Sequence, residues 1–256
     1  MLKCKYIIHT PGEITRIREA ARATAIARDQ IAEAVQEGMS TQELDMIAGA
    51  IIRSLGGKPA FLGYGGFPCN ICISLNDVVV HGIASPNKII KKGDIVGLDV
   101  GVAINGAIGD CARAVYVGGE PEGDEKRLLD GTVAALEAGI AAARNGNCVR
   151  DISAAVEKVA NANKLGIVRD YVGHGCGIRL HEPPDVPNFT DPRHGHGAKL
   201  LPGMVLCIEP MLNLGTHKVF VESDNWTVRT ADGKKSAQFE HMILIGEDQT
   251  EVLTRV

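Results

Sequence analysis

The 256-residue sequence lacks a hydrophobic run long enough to cross a membrane, since no apolar stretch approaches the roughly 18 residues that a spanning helix needs. The opening residues, MLKCKYIIHT, also lack the apolar centre of a secretory signal peptide. The formal net charge is only -4, without the basic excess that marks a dedicated nucleic-acid-binding protein. We therefore expect a cytoplasmic protein with no membrane contact and no dedicated nucleic-acid site.

The cysteines lack the spacing pattern of a disulfide framework. There are seven of them, scattered along the chain, and an odd number without regular spacing indicates reduced thiols. Cys69 and Cys72 form a lone CxxC that has no second pair to complete a zinc site, and it follows a Gly-rich loop instead of opening a helix. We favour plain packing for this pair, with a redox or zinc role as the alternative.

The order of predicted elements occurs twice along the chain. Two helical segments, the second opened by the capping box of Ser40 and Glu43, precede strand-rich sequence, and helices followed by strands then return. EGMSTQEL matches NGNCVRDI at an offset of 108 residues, and KKGDIVGLD matches LLPGMVLCIE at an offset of 110. The sequence predicts one α+β domain spanning 1–256, with two similar halves of helices and antiparallel strands, about 10–120 and 121–256, around a central site.

The stretch DVGVAINGAIGD reads as a buried hairpin with an aspartate at each end. Asn105 and Gly106 suit a two-residue type I′ turn, which would pair Gly101 with Asp110. Asp99 shares a face with Gly101, so the two carboxylates become diagonal neighbours about 7 Å apart at their Cα atoms. Gly101 would leave the space between them empty. Because buried carboxylates are costly, this pair needs a partner.

Two further acids lie in the second half. Glu209 ends the strand that matches the one ending at Asp99, and Glu240 in QFEHMILIG corresponds in element order to Asp110. Four bare carboxylates in one pocket would repel one another, and two divalent cations would neutralise them. Between these acids lies GHGCGIRLHEPP, whose flanking glycines favour a ligand or catalytic role for His174 over a purely structural one.

These motifs, taken in order, resemble the pita-bread metallopeptidases, and the full set resembles type I methionine aminopeptidases. The similarity runs from about Thr10 to the end of the chain. It rests on EGMSTQELD, GYGGFPCNICISLNDVVVHGI, GDIVGLDVG, GDCARA, YVGHGCGIRLHEPP, PGMVLCIEPM and DNWTVRTADGKKSAQFEHMILI. It implies the pita-bread fold and a dinuclear-metal aminopeptidase that removes the N-terminal methionine from nascent proteins and peptides with a small second residue.

The resemblance also implies roles for matching positions. Asp99 would chelate one metal, Asp110 and Glu240 would bridge both, and His174 with Glu209 would complete the other. The implied catalytic residues are His81, His181 and Glu209, and the implied substrate-binding residues are Phe61, Tyr64, Phe67, Cys72, His81, His181 and Trp226, with Leu180 nearby. Phe67 and Leu180 depart from the residues usual in the family, tyrosine and an aromatic, so we expect a softer, less polar pocket wall.

Cofactors and partners follow from the same resemblance. We expect two divalent ions, Co, Mn, Fe or Zn, because one imidazole and four carboxylates suit Mn, Fe and Co comparably and leave Zn open. A monovalent cation would lie near Asn76, Val78 and Ser236. The expected partners are nascent polypeptide N-termini, with docking on the ribosome near the exit tunnel, and the expected state is a monomer. His194 and His196 in the 188–201 loop read as exposed loop histidines, with an extra metal site as the alternative.

Two rival functions stay open. Prolidases and X-Pro aminopeptidases share this fold and ligand set, but they usually add an N-terminal domain for which 256 residues leave no room. A non-catalytic pita-bread binding protein is the other rival, and such proteins typically lose ligands that this chain keeps.

Overall fold

The first half of the chain opens with two helices, α1 (Pro11–Ala34) and α2 (Thr41–Ser54), in a computed structural model that describes residues 6–256 apart from the side chain of His194. Cys4, counted above among the reduced thiols, lies outside this range. The predicted capping box of α2 is confirmed, because Ser40 Oγ accepts from the Glu43 N–H at 3.2 Å and the Glu43 carboxylate accepts from the Ser40 N–H at 2.8 Å. These two reciprocal bonds fix where α2 begins.

Five strands complete the first half: β1 (Lys58–Pro59), β2 (Cys72–Leu75), β3 (Val78–Val80), β4 (Ile95–Ile104) and β5 (Ala107–Tyr116). Strand β4 is central and antiparallel to its neighbours, with β5 as its hairpin partner and with β1 and β2 paired to different parts of it. Helix α1 packs closely on β5, because a Cβ at Gly109 would lie 2.6 Å from the backbone of Ala20. The hairpin therefore lies directly against the helical layer.

The second half repeats this order with α3 (Gly123–Ala142) and α4 (Val149–Ala162), followed by strands. The strands are β6 (Gly166–Ile167), β7 (Gly173–Gly175), β8 (Glu182–Val186), β9 (Val205–Ile208), β10 (Met211–Asn213), β11 (Val219–Val221), β12 (Val228–Thr230), β13 (Ser236–Gln238), β14 (His241–Ile245) and β15 (Thr250–Val252). A five-stranded antiparallel sheet has the order β15-β14-β9-β7-β8. Two three-stranded sheets have the orders β13-β10-β6 and β11-β12-β3, and the latter joins the two halves.

The two halves repeat each other in individual hydrogen bonds. The Gly38 N–H donates to the Ile90 carbonyl at 2.8 Å, and the Gly146 N–H donates to the Leu200 carbonyl at 3.0 Å. Both glycines have φ of 90°, a left-handed conformation that favours glycine. The duplication predicted from the sequence offsets therefore exists in the backbone.

Each half has its own hydrophobic core. In the first half, buried residues of α1 and α2 such as Ile31 and Leu44 pack on the sheet around β4. In the second half, Leu136 of α3 and Ile152 of α4 pack on the strands that follow them. Within residues 6–256, no helix is both long and apolar enough to cross a membrane.

Candidate active site

The β4–β5 hairpin has the register predicted from its sequence. Asn105 and Gly106 have φ of 50° and 74°, as a type I′ turn requires, and Gly101 pairs with Asp110. Asp99 lies two residues along β4, on the same face as Gly101. The two carboxylates are therefore diagonal neighbours, and both line the same cavity.

The space beside Gly101 is filled, so the prediction that this glycine leaves an empty gap between the acids is wrong. A Cβ at Gly101 would lie 2.5 Å from Cε1 of Phe61, whose ring packs on the bare backbone. The physical reason is that a glycine in a strand has no side chain, so an aromatic ring can pack directly on its backbone. Gly101 thus shapes the apolar wall of the cavity.

All of the residues singled out from the sequence as ligands, catalysts or pocket walls line one cavity of about 170 Å³. They come from both halves of the chain and meet where the sheets approach one another. The lining also includes Val80, Tyr171, Val172, Met211 and Gln238, which sequence reasoning missed. For Gln238 a signal was available, because it lies two residues before Glu240.

The acidic side of the cavity holds carboxylates that are almost completely shielded from solvent. Asp110, Glu209 and Glu240 are only 3%, 8% and 2% exposed. Oδ1 of Asp99, Oδ1 of Asp110 and Oε1 of Glu240 have no hydrogen-bond partner among the described residues. Unpartnered buried acceptors of this kind are strongly unfavourable unless a cation is bound.

Each of these carboxylates makes ionisation of its neighbours less favourable. Burial raises the pKa of Asp99 to about 7. Burial, together with repulsion from the neighbouring carboxylates, raises the pKa of Asp110, Glu209 and Glu240 well above the usual range. A bound cation would reverse this balance by favouring the ionised forms.

His174 presents a lone pair to the acids. Its Nδ1 lies 2.9 Å from the Gly175 carbonyl, and since a carbonyl can only accept, Nδ1 carries the hydrogen. Burial and the nearby His181 lower the pKa of His174 to about 4, so the ring is neutral. Nε2 then points its lone pair at Glu209 Oε1, 3.4 Å away, and Asp110 Oδ2, 3.8 Å away. The imidazole nitrogen and the carboxylate oxygens are all acceptors, and a divalent cation between them would bind to each of their lone pairs.

Cys207 belongs to this cluster, although sequence reasoning counted it only as a reduced thiol. Its Sγ and the ligand atoms of Asp110, His174 and Glu240 all lie within 4.8 Å of one another. Burial raises the pKa of Cys207 well above its usual value, so the thiol stays protonated. The neutral thiol therefore lies against the candidate metal ligands without adding a charge to them.

Two histidines that the resemblance assigns to catalysis lie beside the acids. His81 has φ of 57° and meets the rings of Tyr171 and Trp226 edge-on, with centroids 5.3 and 6.1 Å away. Burial, with the nearby His181, lowers the pKa of His81 to about 4. The Tyr64 hydroxyl lies 2.9 Å from Nδ1 of His181. Both imidazoles therefore line the cavity with constrained orientations.

The opposite side of the cavity is apolar. Phe61, Phe67, Cys72 and Leu180 are buried and form one cluster, and Trp226 packs edge-on against Phe67 with centroids 5.2 Å apart. Phe67 and Leu180, from which a softer wall is predicted, therefore line the same cavity as the carboxylates. A thioether side chain suits such a wall.

The remaining candidates, apart from Cys72, lie outside this cavity. The six cysteines within residues 6–256 are free, including Cys69 and Cys72. The Ser236 N–H donates to the Asn76 carbonyl at 2.8 Å, so the segments expected near a monovalent cation do meet, with Val78 at the start of β3. His196 is exposed, and among the described side chains the 188–201 loop contributes nothing to the cluster of candidate metal ligands.

Residues 15–247 match the model of Metallopeptidase family M24. The chain is 43% identical to methionine aminopeptidase 1 of Bacillus subtilis over 256 aligned residues, which cover 100% of each protein. It superposes on the crystal structure of methionine aminopeptidase from Thermotoga maritima with a TM-score of 0.94 and 39% identity, covering 98% of this chain and 100% of the other. A prolidase from Pyrococcus furiosus gives a TM-score of 0.78 at 24% identity, covering 98% of this chain and 66% of the other, which is a likeness in fold.

These comparisons confirm the pita-bread fold, the hydrolase class and the use of divalent metal predicted from the sequence. They also support the methionine aminopeptidase reading over the prolidase one, because the full-length relatives bear that name. The chain therefore belongs to metallopeptidase family M24, on its methionine aminopeptidase branch.

Proposed function

We propose that this chain removes the N-terminal methionine from nascent proteins and peptides whose second residue is small. The observation that carries the proposal is the single cavity in which a buried cluster of carboxylates and histidine adjoins an apolar pocket. The methionine aminopeptidases to which the chain is similar over its full length support it. A free α-amino group at the acidic end would restrict cleavage to the first peptide bond.

The donor set fits two divalent cations, with Mn, Fe, Co and Zn as the candidates. Asp99 would hold one, Asp110 and Glu240 would bridge both, and His174 with Glu209 would hold the other. The unpartnered carboxylate oxygens and the neutral His174 support this assignment. When bound, such a pair of cations supplies a water activated for attack at neutral pH and polarises the peptide carbonyl.

The chain's own residues then have distinct tasks. His181 donates from Nε2 to the carbonyl oxygen of the first peptide bond as negative charge develops there. Glu209 takes a proton from the attacking water and passes it to the leaving amine. His81 holds the substrate backbone near the leaving nitrogen. The methionine side chain lies between Phe67, Cys72 and Trp226.

The proposal also covers the domain organisation, the oligomeric state and the cellular location of the protein. Both halves supply ligands, Asp99 and Asp110 from the first and His174, Glu209 and Glu240 from the second, which favours a single catalytic domain over 1–256. One chain contains the whole donor set, so we propose a monomer. We further propose a cytoplasmic enzyme that meets its substrates near the ribosomal exit tunnel, with a monovalent cation near Asn76, Val78 and Ser236.

A peptide panel tests the proposal on the metal-loaded protein. Met-Ala, Met-Gly and Met-Ser peptides should be cleaved efficiently, norleucine should replace methionine, and Met-Lys and Met-Leu peptides should be poor substrates. An apolar pocket discriminates by only about 1 to 3 kcal/mol per methylene, which is why norleucine should be accepted. A strong preference for Ala-Pro and Phe-Pro peptides would favour the prolidase reading, and no cleavage of any peptide would favour a binding protein.

A further inference from the structure

The loop between β7 and β8 contains Leu180 and His181, which line the cavity. Glu182, the first residue of β8, does not line the cavity, but its carboxylate hydrogen-bonds to the backbone of this loop. Glu182 Oε1 accepts hydrogen bonds from the Ile178 N–H at 3.1 Å and the Arg179 N–H at 2.8 Å. Both donors immediately precede the two residues that line the cavity. One acceptor atom therefore restrains two consecutive backbone amides of the loop.

The other oxygen of this carboxylate faces the segment that precedes α1. His9 Nε2 lies 3.1 Å from Glu182 Oε2, at ion-pair distance but off the alignment of a good hydrogen bond, and the two side chains are 1% and 2% exposed. His9 is itself fixed, because its N–H donates to the Gly203 carbonyl at 2.9 Å. Loss of either partner would leave the other buried and unmatched.

Gly177 lets the imidazole reach this position. A Cβ at residue 177 would lie 2.9 Å from Nε2 and Cε1 of His9 and 2.7 Å from Cδ1 of Ile17. The His9 ring therefore lies directly against the backbone of the loop. The same glycine accepts from the Ile108 N–H at 2.7 Å, which ties the loop to β5.

We propose that His9 and Glu182 are positioning residues for His181: their buried pair sets the loop so that the imidazole meets the substrate carbonyl. The proposal rests on the proposed function, which gives His181 its role. Neither residue lines the cavity, so each acts through the loop. Small misplacement of a catalytic group can lower a rate about 100-fold, which makes a remote pair of this kind important for turnover.

Steady-state kinetics of the metal-loaded protein test whether His9 and Glu182 position His181. For Met-Ala-Ser cleavage, Glu182→Ala and His9→Ala should each lower kcat by about 10- to 100-fold, with KM within about twofold and metal content unchanged. His9→Gln, which keeps a side-chain N–H toward Glu182, should recover most of the rate. A fall in metal content that accounts for the lost rate, or no rescue by His9→Gln, would overturn the proposal.

Glu157→Ala is the matched control. The Glu157 carboxylate also restrains a loop, since its Oε2 accepts from the Thr190 N–H at 3.2 Å, but Glu157 lies outside the cavity lining. This variant should keep the wild-type kcat. An equal fall in kcat for Glu157→Ala would mean that any loop restraint matters and would contradict a specific role for Glu182.

A double-mutant cycle separates positioning from general damage. In a His181→Ala background, Glu182→Ala should cause no further fall in kcat, because the group it positions is gone. Full additivity would overturn the proposal. If Glu182→Ala fails to fold, Glu182→Gln replaces it, since the amide oxygen still accepts from both loop N–H groups and only the charge facing His9 is lost.

Hydrogen exchange gives a readout that is independent of activity. The Ile178 and Arg179 amides should exchange faster in Glu182→Ala and His9→Ala, and at the wild-type rate in Glu157→Ala. Unchanged exchange in the first two variants would contradict the proposal. A wild-type protein that fails to cleave methionyl peptides would instead contradict the proposed function, while the exchange data would still report on the restraint.

Discussion

The Tyr64 hydroxyl and Nδ1 of His181 lie 2.9 Å apart, although 117 residues separate them in the chain. Burial lowers the pKa of His181, so its imidazole is neutral at neutral pH and carries one hydrogen. A hydroxyl that donates to Nδ1 places that hydrogen on Nε2, the nitrogen left to meet a substrate. Tyr64 thus determines which ring nitrogen of His181 carries the hydrogen, in addition to lining the pocket.

Tyr64→Phe should consequently lower kcat by about 10-fold, since the ring stays in the pocket but the tautomer of His181 is no longer set. His181→Ala should lower kcat by about 100- to 1000-fold, the scale expected for an oxyanion donor. Steady-state kinetics with metal analysis of each variant checks both values. If Tyr64→Phe raises KM and leaves kcat alone, Tyr64 is only a pocket wall, and loss of metal in His181→Ala would make His181 a ligand.

Chelation should abolish peptide cleavage, and adding a divalent metal should restore it. Thermal melting should follow the same pattern, because cations that bind the folded state stabilise it by about 2.7 kcal/mol at 100 times their Kd. Parallel activity and melting curves over a metal titration measure both effects. Full activity in excess chelator would rule out the assigned chemistry.

Asp99→Asn and Asp110→Asn should each abolish activity while the fold stays intact. Without metal, each variant should melt at or above the wild-type temperature, because the substitution removes one of several buried carboxylates that disfavour one another's charge. With metal, each should gain less thermal stability than the wild type. Near-normal turnover at saturating metal in either variant would show that its carboxylate is not a ligand.

Gly101→Ala should raise KM for methionyl peptides, because the added Cβ would lie 2.5 Å from Phe61 and must displace its ring from the pocket wall. Metal content should not change. Gly97→Ala on the same strand is the control, since its Cβ would meet its nearest neighbour, Ser74, at 3.3 Å. Equal KM values for the two variants would mean that Phe61 does not shape the pocket.

Local chemistry explains which features could be predicted from the sequence. The hairpin register follows from Asn105 and Gly106, and the second copy of the fold follows from matching turns such as those at Gly38 and Gly146. The packing of Phe61 on Gly101 depends on how separate segments approach one another, and no periodicity records that.

The contacts of Cys207 and Tyr64 were missed for the same reason. Each joins residues that lie far apart in the chain, Cys207 with Asp110 and Tyr64 with His181. Sequence spacing reveals which side chains share a strand face, but it does not reveal which faces meet.

The two halves of the molecule repeat each other in the hydrogen bonds at Gly38 and Gly146, yet they contribute different side chains to the cavity. The first copy offers Asp99 and Asp110 to the cavity but no imidazole ligand, whereas the second offers Glu209 and Glu240 together with His174. Two identical copies would make a symmetric site with equivalent cation positions. If two cations bind as proposed, divergence of the copies would make their positions inequivalent, with an imidazole beside one ion and only oxygen ligands beside the other. The two ions should then be lost at different chelator concentrations.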